Sequence, residues 1–150
     1  MKSRQMQQQD IAEVVAIEVA ANQFPWSHKN FEDCLKAGYQ SWVFVDESKQ
    51  ILGYTVVQQI VDEVHLLNIC VNPSVQKQGF GREILEYVID FATNKSLVLI
   101  VLEVRRSNRR AQKMYLRAGF NEMSVRRAYY PAEKGREDAI LMGMDLAFFA

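Results

Sequence analysis

Apolar residues recur along the chain in two periods, and the switches between them mark the elements. Ile11, Val14, Val15 and Val19 fall at helical spacing. Asp10 followed by Glu13 has the form of a capping box, so a helix is expected there, after a short strand near 3–8. Glu18 interrupts the apolar face of that helix and is expected to be a solvated carboxylate. FPWS at 24–27 breaks the pattern; Ser27 is placed to cap a second short helix, HKNFEDCLKAG, which Gly38 ends. Three strand-like runs follow, SWVFVD, ILGYTVVQQIVD and VHLLNICV, the first two joined as a hairpin through the polar turn at 47–50. A helix over about 80–94 leads to the apolar strand VLIVLEV. A further helix then runs from Ser107 to about Ala118 and ends at Gly119, and FNEMSVRR and DAILMGMDL close the chain as strands. Strand, two helices, three strands, helix, strand, helix, two strands is the order of an α/β fold, a mixed sheet with helices packed against it.

Composition narrows this to one domain over 1–150. The 150 residues are 49% hydrophobic and 24% charged, and no repeat, low-complexity tract or linker divides them. The formal net charge is +0, so no general pull on nucleic acid or an anionic membrane is expected, and direct nucleic-acid binding is disfavoured. MKSRQMQQQD leads into glutamines rather than an apolar signal-peptide core, which predicts a cytoplasmic protein. The run LVLIVL at 97–102 is too short to span a bilayer and suits a buried strand. Cys34 and Cys70 form no CxxC pair and only His28 and His65 accompany them, so no metal site is expected, and the thiols are read as buried and inert.

The chemistry concentrates at QKQGFGR, residues 76–82, between a strand and a helix. It is not a Walker A loop, because Gly81 is followed by Arg82 and Glu83 rather than Lys-Ser/Thr. It is not a dinucleotide fingerprint either: position 84 is Ile84 and the strands before it form a meander. What remains is general. Gly79 and Gly81 let backbone approach a ligand, the first turn of the helix favours an anion, and Arg82 adds a cation. By itself the turn is equally compatible with a glycine entry to a helix and nothing more.

Other stretches resolve that ambiguity. NICVNPSVQKQGFGREILEYVIDFA resembles the acetyl-CoA-binding segment of the GNAT family of N-acetyltransferases, whose loop Gln/Arg-x-x-Gly-x-Gly/Ala is filled here by Gln76, Gly79 and Gly81. LEVRRSNRRAQKMYLRAGFNEMSVRRAYYP is similar to the family's second motif, and the resemblance covers nearly all of the chain. FPWS, LEVRRSN, GFNEMSVRRAYYP and EDAI look like the subgroup that acetylates alanine termini of bacterial ribosomal proteins. Asn72 stands where an Asp is usual, and Gln78 where a basic residue is common.

The resemblance implies a mostly antiparallel sheet of six or seven strands, helices on both faces, and a splayed central strand pair that takes acetyl-CoA as co-substrate. Backbone at Gln76, Lys77, Gln78, Gly79, Phe80, Gly81 and Arg82 would hold the pyrophosphate. The strand edge at Ile69, Cys70 and Val71 would pair with the pantetheine amides. Asn108 and Tyr115 would flank the thiol, Tyr115 as the acid for the departing thiolate, while Glu103 serves as base through a water. Trp26, Tyr129 and Tyr130, the last two in a polar loop before Pro131, would line the acceptor groove.

The implied acceptor is the N-terminal alanine of a small-subunit ribosomal protein. An α-amine, with a reference pKa near 8, asks less of one carboxylate base than lysine near 10.4. Competing readings are a lysine or small-amine acetyltransferase, a non-catalytic acyl-CoA-binding module, and an RNA-binding module using Arg105, Arg106, Arg109, Arg110, Lys113 and Arg117. That basic cluster is expected to be a solvated helix face. The apolar end LAFFA is left open between the core and a contact with another chain.

Overall fold

The computed structural model describes residues 1–147, so positions 148–150 of the LAFFA end lie outside the described residues. The elements follow the predicted order: β1 (Lys2–Gln5), α1 (Ile11–Ala21), α2 (His28–Lys36), β2 (Gln40–Val45), β3 (Ile51–Ile60), β4 (Glu63–Val71), α3 (Phe80–Asn94), β5 (Leu99–Arg105), α4 (Arg109–Ala118), β6 (Asn121–Pro131) and β7 (Arg136–Asp145). The strands are hydrogen-bonded in the order β1-β2-β3-β4-β5-β7-β6, a seven-stranded, mostly antiparallel sheet. The chain divides into two compact units, Met1–Gln59 with Leu67–Tyr87, and Ile60–Leu66 with the residues from Val88 onward.

In the first unit β1 pairs antiparallel with β2, and β2 with β3, from Gln40↔Val57 to a register shift at Val45. Both sheet faces are covered, which is why β2 and most of β3 are buried along their length and mainly apolar, with Ser41 and Thr55 the buried polar exceptions. On one face Val43, Val45, Ile51, Tyr54 and Val56 meet Ile11, Val14, Ile17 and Phe31 of α1 and α2. On the other, Trp42 and Phe44 touch the ring of Tyr87 in α3 at 5.1 and 5.3 Å.

Gly53 sits where β3, β4 and α3 come closest. A Cβ there would lie 2.7 Å from both the Cys70 carbonyl oxygen and Ile84 Cδ1. Gly53→Ala is therefore expected to destabilise the fold by about 1–3 kcal/mol, because backbone cannot yield as a side chain can. A urea melt reporting an unchanged midpoint would refute this.

Ser27 caps α2 as expected: its Oγ accepts from the Asn30 N–H at 3.1 Å, and Asn30 Oδ1 accepts from the Ser27 N–H at 2.8 Å. The capping box at Asp10 does not form. A 3-10 turn over Gln8–Asp10 precedes α1, so Asp10 is already in helical conformation and its carboxylate turns back. There it accepts from Arg4 at 2.7 and 2.9 Å and from the Gln7 N–H at 2.8 Å, and the bond from Arg4 holds it below the usual carboxylate range. Glu13 accepts from the Ile51 N–H at 3.1 Å instead.

In the second unit the first residues of β4 pair in parallel with β5, from Glu63↔Leu99 to Leu66↔Leu102. β5 is antiparallel to β7 from Leu99↔Asp145 to Arg105↔Ala139, and β6 flanks β7 with two register shifts. α4 starts two residues later than expected. Its cap is Asn108, whose Oδ1 accepts from the Ala111 N–H at 3.2 Å, while Ser107 is bound to Glu137. Gly119, at φ 111, ends α4 in the left-handed conformation. β6 runs on to Pro131, so Tyr129 and Tyr130 lie in a strand rather than in a loop, and the turn falls at 132–135. Leu146, of the apolar end, is buried, and its N–H donates to the Val98 carbonyl at 2.8 Å. Among the described residues no helix is long and apolar enough to cross a membrane, and no group of three or more His, Cys, Asp or Glu side chains is placed to hold a metal ion.

Candidate active site

The anion-binding loop grows out of the end of β4. Asn72 turns the chain there: its Nδ2 donates to the Ile51 carbonyl at 3.1 Å and its Oδ1 accepts from the Ser74 N–H at 3.1 Å. A carboxylate could not make the first of these bonds, so Asn is suited to this turn. Beyond the short 3-10 turn at Pro73–Val75, residues 76–79 are exposed, and Lys77 and Gly79 both have positive φ, 67 and 83.

Nothing lies within 4 Å of a Cβ built on Gly79, so the backbone conformation, not crowding, calls for glycine. Left-handed residues in a turn gather N–H groups into a concave anion site. The Glu83 N–H donates to the Gly79 carbonyl at 3.2 Å as α3 begins; the N–H groups ahead of it are those a helix leaves without an internal acceptor. Arg82 pairs with Glu86 through Nε at 3.0 Å on the exposed surface, which leaves its Nη groups outside that bond. Backbone donors, a helix dipole and a nearby cation fit a pyrophosphate.

Ile69, Cys70 and Val71 are the last three residues of β4 before this loop. The Cys70 thiol is buried and its pKa is pushed up to about 11, chiefly by that burial, so it is no nucleophile. Burial also raises the partly exposed Cys34.

In the second unit the structure brings Glu103, Tyr115, Tyr129 and Tyr130 into one neighbourhood. Glu103 is half-buried on β5, with Oε1 3.3 Å from Arg126 Nε. The Tyr130 phenol is pushed up to about 12, by burial first and then by the negative charge of Glu103. Arg105 lies over the Tyr130 ring at 4.5 Å and donates to the Pro131 carbonyl and to Glu137 at 2.9 Å, fixing the end of β6. Tyr129 meets Tyr130 edge-on at 4.9 Å, has Arg126 over its ring at 5.3 Å, and is exposed. Tyr115 is only 6% exposed and lies 5.7 Å from the Phe120 ring; its phenol is raised well above the usual range by burial, then by Tyr130. Asn108 is exposed, with its side-chain oxygen engaged in capping α4. Arg106, Arg109, Arg110, Lys113 and Arg117 are exposed, the solvated face expected of them, and Arg106 pairs with Asp138 at 3.3 Å; Arg105, expected with them, is instead half-buried against Tyr130 and Glu137 because it lies on β5 rather than on α4.

Glu18 is not the solvated carboxylate that the sequence suggested. It is 3% exposed and accepts from Tyr54 Oη at 2.7 Å, Asn68 Nδ2 at 3.1 Å and the Trp26 backbone N–H at 3.0 Å. Its position held the clue. Ile11, Val14 and Glu18 stand at i, i+3 and i+7, one buried stripe of α1. Trp26 itself is half-buried, its ring 5.2 Å from Phe31.

Residues 11–120 match the model of the acetyltransferase (GNAT) family. The chain belongs to the GNAT family. The [ribosomal protein bS18]-alanine N-acetyltransferase of Escherichia coli K12 is 38% identical over 138 residues, 92% of this chain and 93% of that protein. The Haemophilus ducreyi protein of the same name is 34% identical, covering 93% of this chain and 96% of its own length. The crystal structure of the ribosomal-protein-S18-alanine N-acetyltransferase from Escherichia coli superimposes with a TM-score of 0.90 at 37% identity, over 96% of this chain and 92% of that one. As a GNAT protein the chain is an N-acetyltransferase, built on the family's mixed sheet.

Proposed function

We propose that this chain is one GNAT domain over 1–150 that transfers the acetyl group of acetyl-CoA to the N-terminal α-amine of a protein, the alanine of a small-subunit ribosomal protein. The observation that carries this reading is the 38% identity to an enzyme named for that reaction, spread over nine-tenths of both chains. The residues support it individually. Backbone at 76–82 holds the pyrophosphate in the concave turn made by Lys77 and Gly79, and the β4 edge at Ile69, Cys70 and Val71 pairs with the pantetheine amides. Acetyl-CoA supplies an activated acyl group, and no metal is required of the protein.

Glu103, held by Arg126, takes a proton from the attacking amine through a water; the N–C bond forms as the C–S bond breaks, and Tyr115 passes its proton to the departing sulfur. Asn108 contributes at the thiol end through the amide nitrogen its cap leaves available. Trp26, Tyr129 and Tyr130 offer aromatic walls to the acceptor terminus. Such an enzyme works in the cytoplasm on its protein substrate and needs no direct contact with nucleic acid.

The test is mass spectrometry of a peptide panel incubated with enzyme and acetyl-CoA: a free N-terminal alanine peptide, the same peptide with its α-amine blocked and a lysine supplied, and polyamines. Acetylation confined to the free alanine terminus is expected. Acetylation of lysine or polyamine would replace this reading, and cofactor binding without turnover would favour a non-catalytic acyl-CoA module.

A further inference from the structure

The Glu18 network is costly unless it does something a neutral core would not. A carboxylate 3% exposed loses nearly all of its hydration, and no lysine or arginine is among the partners that replace it. Leucine or glutamine would fill the same place between α1, β3 and β4 at a smaller desolvation cost. The particular gain of a carboxylate is a second acceptor oxygen. Oε1 takes both side-chain donors, Tyr54 and Asn68, whereas Oε2 accepts only from the main chain, at Trp26, eight residues on.

The connection from α1 to α2 has no regular structure, and Asn22, Gln23, Phe24 and Pro25 are exposed. Several ties hold its conformation, among them the Asn22 N–H on the Glu18 carbonyl at 3.0 Å. Another is the Ser27 cap, one the Trp26 ring against Phe31, itself edge-on to Tyr54 at 5.7 Å, and one the Trp26 N–H on Glu18. The last is made by a side chain that is itself fixed, through Tyr54 and Asn68, to two strands of the sheet.

We propose that Glu18 is a positioning residue for the acceptor: by accepting the Trp26 N–H on Oε2 of a carboxylate whose other oxygen is anchored to β3 and β4, it fixes the aromatic wall on which the incoming N-terminus docks. The inference rests on the N-terminal acetyltransferase reading and extends it to a group that never meets the reacting atoms. Glu18→Gln is the discriminating variant. It keeps the volume and one acceptor oxygen for Tyr54 and Asn68, but offers an NH2 to the Trp26 N–H and so breaks that tie alone. Tyr54→Phe is its counterpart, removing a donor from the same carboxylate while leaving the Trp26 bond in place.

Steady-state kinetics with the alanine peptide, CoA binding by calorimetry and thermal melts are measured on wild type and both variants. Glu18→Gln is expected to raise KM for the peptide by about tenfold, the size of one lost charge-assisted hydrogen bond, with CoA affinity within about twofold of wild type. Tyr54→Phe is expected to lower the melting temperature but to raise the peptide KM by less than Glu18→Gln does, because it loosens one anchor and keeps the Trp26 bond. If wild type does not acetylate the peptide, the functional reading has failed. If wild type does, and Glu18→Gln leaves the peptide KM unchanged, or both variants raise it in proportion to their loss of stability, Glu18 is structural only and the inference is overturned.

Discussion

Tyr115→Phe is expected to lower kcat by about 100-fold or more, with CoA affinity and melting temperature at neutral pH nearly unchanged. The variant deletes one O–H and keeps the ring, its contact with Phe120 and its burial, so a kcat loss without instability reports the proton rather than the packing. The raised phenol pKa bears on this in two ways. Burial keeps the proton on Tyr115 through the neutral and mildly alkaline range, so the alkaline limb of kcat is not set by its ionisation. Burial also makes the phenol a weaker acid, but a thiolate expelled into similarly apolar surroundings becomes a stronger base for the same reason.

The stability consequence has a definite sign. A group whose folded pKa is raised binds more protons folded than unfolded above the ordinary tyrosine value of about 10, so wild type loses stability beyond that pH and Tyr115→Phe loses less. Activity of the variant within about threefold of wild type would remove Tyr115 from the acid role.

What the sequence made legible is what is local. The Ser27 cap, the glycine turn and the end of α4 at Gly119 each have signal and consequence within about four residues, and period-two or period-3.6 patterns fixed the element order. What it hid depends on partners far along the chain. Glu18 looked like a polar interruption because Tyr54 and Asn68, which justify its burial, are 36 and 50 residues away. Tyr129 and Tyr130 read as loop because Pro131 follows, yet β7 extends β6 up to that proline through Tyr130↔Glu137 and Pro131↔Arg136. At Asp10 the capping pattern was real, but a competing ion pair with Arg4 and an extra turn of 3-10 helix captured the carboxylate first. Of the candidate site, the loop was readable from its glycines. The grouping of Glu103 with Arg126 and Tyr130 was not, because it depends on how β5, β6 and β7 register.

That grouping supplies the second large effect. Glu103→Gln is expected to lower kcat/KM for an alanine peptide by about tenfold at pH 7, the factor by which an amine with a pKa near 8 is protonated there, and the deficit should shrink as pH rises. The reason lies in the acceptor. An α-amine with a reference pKa near 8 sheds its proton unaided by about pH 9, after which a general base has little left to do. A lysine acceptor, near 10.4, would still need the base there, so recovery by pH 9 also separates the two acceptor classes. The substitution removes the charge facing Arg126 without changing the shape of the side chain, and it carries an internal control. Glu103 is one of the groups that raise the Tyr130 phenol, so the Tyr130 titration, followed by NMR of ring-labelled tyrosine, is expected to move down in the variant whatever Glu103 does in catalysis. A shifted Tyr130 titration with undiminished turnover at pH 7 would leave Glu103 as a neighbour of the site and not its base. A shifted titration with turnover that is lowered at pH 7 and restored toward pH 9 is what proton removal by Glu103 requires.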